Sequence, residues 1–185
     1  MFYEAGDAGS YDFKELEEKI ASTATSIEEL DALTKEYGLS NETYAKSITG
    51  LFYSEAAKAE TLSQLEDLKK KVEDAGGEVN IAYYHEQVAR ITEASANAAK
   101  SIEELNKAWA EGAATGASLD YEAYAENVRR LAEESTGAAD SLSELQAAWS
   151  EAAETGVELD YSLYADNLLR LAESYSICAD EAQAF

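Results

Sequence analysis

Residues 154–173 read ETGVELDYSLYADNLLRLAE. Forty residues earlier, 114–133 read ATGASLDYEAYAENVRRLAE, and twelve of the twenty paired positions are identical. A phrase that returns at a fixed distance marks a repeat architecture, in which each copy is one supersecondary unit. Neither copy holds a nucleophile–base pair or a metal-ligand spacing, so the repeated content is a folding instruction. Gly156 suits the left-handed turn that ends a helix. Asp160 suits the N-cap of the next one. Leu159 before that cap and Tyr164 four residues after it form a hydrophobic staple, which fixes how the chain enters the helix.

The register extends over most of the chain. One step back, Thr61, Gly76, Val79, Asn80, Tyr84, Val88, Arg90 and Ile91 fall in the same columns. A further step back, Ser40, Tyr44, Ile48 and Leu51 fit, with a shorter first loop. The helices that precede the glycines open with SIEEL (26–30), TLSQL (61–65), SIEEL (101–105) and SLSEL (141–145). Each pairs Ser or Thr with Glu or Gln three residues on, which is the capping box. They run into Gly38, Gly76, Gly116 and Gly156. The alternate helices start at Ser40, Asn80, Asp120 and Asp160, with Leu39, Val79, Leu119 and Leu159 before them and Tyr44, Tyr84, Tyr124 and Tyr164 within.

Apolar residues then recur at helical spacing. They are Ile48 and Leu51, Val88 and Ile91, Val128 and Leu131, Leu168 and Leu171 on one set, and Ile27, Leu65, Leu105 and Leu145 with their neighbours on the other. Each helix has a narrow apolar stripe that only stacking can bury. The expected fold is all-α, a right-handed α-solenoid of stacked antiparallel helix pairs with about nine helices. The expected organisation is an N-terminal tail at 1–9 and one repeat domain over 10–176. Its units are roughly 10–38, 39–76, 79–116, 119–156 and a partial 159–176. The last stretch, 177–185, is a tail or an incomplete final helix. An irregular helix over 11–22, with Phe13, Leu16 and Ile20 inward, starts the array.

Composition narrows the function class. Hydrophobic residues make up 46% of the chain, enough for a core, so a net charge of −24 does not mean disorder. Apolar runs are only a few residues long, which excludes a transmembrane helix. From Leu131 to Phe185 there are 12 acids and one base, Arg170. Such a surface repels nucleic-acid backbones and anionic lipids. DNA and membrane insertion are therefore excluded, and a basic protein surface is the compatible partner. A high-salt habitat accounts for the acidity without a partner. One cysteine, Cys178, and one histidine, His85, leave no disulfide and no zinc site. No phosphate-binding glycine loop, HExxH or GxSxG pattern occurs, so neither catalytic residues, metal ligands nor a cofactor are expected. The start, MFYEAGDAGS, lacks the features of a signal peptide. The expected location is soluble and intracellular, or organellar if a presequence was removed. Nothing in the sequence argues for a homo-oligomer.

The junction TGVELDYSLYADNLLRL (155–171), and less closely TGASLDYEAYAENVRRL (115–131), resembles that of pentatricopeptide repeats; tetratricopeptide repeats are a looser match. The resemblance covers about residues 24–176. It implies stacked helix pairs and, in the first family, binding of single-stranded RNA. The acidic charge opposes RNA, so the shape is carried over and RNA binding stays the alternative. The leading expectation is a non-catalytic protein-binding scaffold or adaptor, a subunit or linker of a larger assembly.

Three columns are candidate partner-binding residues. Arg90, Arg130 and Arg170 read either as ion pairs with Glu93, Glu133 and Glu173 or as a basic stripe for an acidic peptide. Gln87, Asn127 and Asn167, with Ser47 before them, read as a hydrogen-bonded ladder or as ligand contacts. Trp109 and Trp149 read as core, or as interface anchors if partly exposed. His85 and the Lys69–Lys71 run read as surface, and Cys178 as a small apolar side chain. The early stop after 176 suggests a docking end.

Overall fold

The computed structural model describes the backbone of residues 13–183 and the side chains of residues 13–176. The expected tail at 1–9 and the side chain of Cys178 lie outside the described residues. Nine α-helices and no strands occur among them. They are α1 (Phe13–Ala21), α2 (Ile27–Tyr37), α3 (Asn41–Lys58), α4 (Leu62–Asp74), α5 (Ile81–Ala98), α6 (Ile102–Ala114), α7 (Tyr121–Ala138), α8 (Leu142–Glu154) and α9 (Tyr161–Gln183). The sequence predicts a stop near 176, but α9 runs on to Gln183.

The local signals act as expected. Ser26, Thr61, Ser101 and Ser141 each accept the N–H of the residue three positions on. The reciprocal half of the box differs. Only Gln64 reaches back to its own cap. Glu29, Glu104 and Glu144 instead accept the N–H of Thr25, Lys100 and Asp140, the residue before the cap. Asn80, Asp120 and Asp160 cap the alternate helices through their side-chain oxygens. Hydrogen bonds from Ser162 hold the Asp160 carboxyl below its ordinary value. Gly38, Gly76, Gly116 and Gly156 all have φ between 68° and 83°, where a side chain would be strained.

Contacts gather into two compact units, Met1–Ile91 and Thr92–Phe185, where the sequence predicts one domain. The division falls inside α5. In the first unit α3 packs against α1, α2 and α4. Its core includes Ile27, Leu30, Ile48, Phe52, Leu65 and Val72. α1 is turned differently from the expectation. Phe13 is 78% exposed and Leu16 is also exposed, with only Ile20 half-buried. Polar ties set this rotation. The Glu17 carboxylate accepts both the N–H and the hydroxyl of Ser40 and the hydroxyl of Thr43. Those bonds hold its pKa below the ordinary value. Lys14 pairs with Glu42 and Lys46 with Glu18.

In the second unit α7 packs against α6, α8 and α9. Val128, Leu131, Ala132 and Tyr124 join Ile102, Leu105 and Ala152 in one cluster. A smaller cluster holds Ala139, Leu145 and Leu171 against Tyr164. Each buried Leu or Val contributes about 1.5–3 kcal/mol. Gly112 packs tightly against Thr92. A Cβ added to this glycine falls 2.1 Å from the Thr92 hydroxyl oxygen. That hydroxyl is buried without a hydrogen-bond partner.

Candidate functional site

The arginine column does structural work. Arg90 Nη2 donates to the carbonyls of Ala59 (2.7 Å) and Ala56 (3.3 Å), at the end of α3. Arg130 Nη2 donates to Ala99 O at 3.1 Å, and Arg170 Nη2 to Ala139 O at 2.6 Å. A helix ends with unsatisfied carbonyls and partial negative charge, and a guanidinium answers both. The acceptors Ala59, Ala99 and Ala139 are themselves forty residues apart. The expected pairing with Glu133 is not the one formed, since Arg130 meets Glu134 at 3.1 Å. In α3 the matching position is Gly50, which has no side chain to form a clamp.

The amide column serves the same device. Gln87, Asn127 and Asn167 are buried. Their oxygens accept the Nε of Arg90 (2.8 Å), Arg130 (3.4 Å) and Arg170 (3.4 Å). Asn127 Nδ2 donates to Asn97 and to Ala123 O, and Asn167 Nδ2 to Leu163 O. The ladder is therefore mostly an amide holding its own helix's arginine. No residue type links these two columns, because their common target is a backbone carbonyl. Its only trace is the constant 31-residue separation.

The tryptophans belong to aromatic clusters. Both are half-buried. Trp109 packs on Tyr124 with centroids 4.9 Å apart, and Tyr121 lies 5.8 Å from Tyr124. Trp149, Tyr164 and Tyr161 are mutually in contact at 5.2, 5.7 and 6.0 Å. Tyr121 and Tyr161 are 56% and 67% exposed. Neither tyrosine stood out in the sequence. The available signal was their shared place directly after the N-cap, where Ile81 stands one unit earlier. The first unit fills the tryptophan position with Lys69, whose ammonium lies 4.9 Å from the Tyr84 ring centroid.

Phenol partners also recur. Tyr124 donates to Asn106 Oδ1, and Tyr44 to Asp31, which also accepts from Lys71. Burial and Asp31 push the Tyr44 phenol up to about 12. Burial works against ionised Asp31, but the bonds from Lys71 and Tyr44 outweigh it and lower its pKa.

The depressions among the described residues are small and open, and two of them lie between packed helices. One of about 440 Å³ lies among α2, α3 and α4, lined by Ile27, Glu55, Lys58, Gln64 and Lys71. The other, about 270 Å³, lies between α7 and α9, with Arg129, Asp160 and Asp166. Among the described residues no group of His, Cys, Asp and Glu is arranged to hold a metal, and no helix is long and apolar enough to cross a membrane.

α9 differs from its counterpart. Val128 on α7 is fully buried, whereas Leu168, forty residues on, is 39% exposed. Leu169 and Tyr175 are exposed beside it. Ala132 is buried and Ala172 is not. No family model matches this chain, and no curated protein or solved structure matches it either.

Proposed function

We propose that the chain is a non-catalytic helical-repeat scaffold of the α-solenoid kind, which binds another protein as a subunit or linker of a larger assembly. The observation that carries this reading is the outer face of α9. Leu168 and Ala172 stand exposed at positions where the counterpart helix buries Val128 and Ala132, and Leu169 and Tyr175 add further exposed apolar surface on the same helix. Exposed apolar side chains rimmed by charge are the usual form of a protein-binding surface. The rim is acidic, so the partner surface is basic. Arg90, Arg130 and Arg170 hold helix ends, which leaves the carboxylates to set the field of the surface.

Comparative capture tests this. The tagged chain and its Leu168→Glu/Leu169→Glu variant are used to recover proteins from source cells. A stoichiometric basic partner held by the native chain and lost by the equally helical variant is expected. No partner, or one retained equally by the variant, refutes the reading.

A further inference from the structure

In the two aromatic clusters of the second unit the outermost rings, Tyr121 and Tyr161, lie outside the buried core clusters. Trp109 and Trp149 cover Tyr124 and Tyr164, which complete the core. Tyr121 and Tyr161 add a further ring on the solvent side and remain more than half exposed. An exposed ring face has a negative quadrupole and attracts guanidinium or ammonium groups. The first unit shows this chemistry at the matching column. There Lys69 sits over Tyr84, within 3.8 Å of the Glu73 carboxylate. In the second unit the lysine is replaced by tryptophan, and among the described residues no lysine or arginine is seated over these rings. Arg129 is paired with Glu122, and Arg130 and Arg170 are held at helix ends. From Thr92 onward there are 19 acids and five bases, so a mobile cation is drawn to this unit.

We infer that the clusters Trp109–Tyr124–Tyr121 and Trp149–Tyr164–Tyr161 are receiving sites for arginine or lysine side chains of a basic protein segment, one per forty-residue repeat. This rests on the protein-binding reading and names the chemistry of the partner. Acidity alone attracts any polycation. The rings select cations on flexible side chains that lie flat on an aromatic face.

The chain's two tryptophans lie one in each cluster, so their fluorescence reports on the sites. A short peptide of alternating glycine and arginine is titrated into the full chain at about 0.15 M salt, where the Debye length is ~8 Å. A citrulline peptide of the same length serves as the uncharged control. A saturable tryptophan response to the arginine peptide alone is expected. Tyr121→Leu with Tyr161→Leu should weaken binding about tenfold, roughly threefold per exposed ring contact. Tyr121→Phe with Tyr161→Phe, which keeps the rings, should restore it. Equal affinity in the Leu and native chains overturns the inference, because charge alone then accounts for binding. So does the absence of any response, or a preference for a single-stranded RNA oligomer over the peptide. Failure here leaves the α9 capture result standing, and failure of that capture leaves this titration standing, so the two are separately refutable.

Discussion

Gly112 and Thr92 show how a single atom decides the fit between helices. Any side chain at 112 collides with the Thr92 hydroxyl and methyl. Gly112→Ala should therefore destabilise the chain by about 1–3 kcal/mol, the usual effect of overpacking. Forty residues on, the same two columns hold Ala132 and Ala152, both buried in one cluster. Adding Thr92→Ala copies that pair and also removes an unpartnered hydroxyl. The double variant should recover most of the loss in urea denaturation; simple addition of the two effects would contradict this coupling. Asp31 and Tyr44 make a second, pH-dependent case. The lowered Asp31 pKa contributes stability that is present above its ordinary value of 3.8 and lost as pH falls below it. The raised Tyr44 pKa contributes stability that is present below 10 and lost as pH rises through about 12. Tyr44→Phe should flatten the alkaline limb of a stability–pH curve, and Asp31→Asn the acid limb. An unchanged curve in both would exclude the pair.

At the scale of the helix, starts and stops were legible because they are local chemistry. Ser141→Ala should cost about 1 kcal/mol through loss of the Glu144 N–H bond. Gly156→Ala should cost a similar amount at its φ of 76°, both measured by thermal or urea unfolding. The apolar stripes placed Ile48, Val88, Val128 and Leu145 in the core from spacing alone. What was not legible depended on tertiary partners. Phe13 and Leu16 look like the inward face of α1, but the bonds from Glu17 to Ser40 and Thr43 turn that face outward. The arginines look like i,i+3 ion pairs, yet their targets are carbonyls distant in sequence. The continuation of α9 to Gln183 carries no stop signal that spacing could contradict. Arg130→Ala should destabilise by about 1 kcal/mol, because a charged hydrogen bond to Ala99 O is lost from a half-exposed site. Arg130→Lys should restore part of it. An Ala variant as stable as the native chain would show that the clamp contributes nothing.

For the molecule as a whole, charge is the largest unbalanced quantity. A net −24 is offset by ion pairs that are mostly exposed and individually weak. Added salt screens the repulsion, so the melting temperature should rise between low salt and about 0.15 M, as the Debye length shortens to ~8 Å. A falling melting temperature would mean that the attractive pairs outweigh the repulsion. The guanidinium clamps also bear on biosynthesis. A ribosome releases the amino end first, so α5, which ends at Ala98, emerges well before the side chain that completes it. The Ala99 carbonyl lacks its guanidinium partner until Arg130 has been made, and the Ala139 carbonyl lacks its own until Arg170 has been made. Assembly is thereby given a direction, with α5, α7 and α9 each completing the end of the alternate helix made before it.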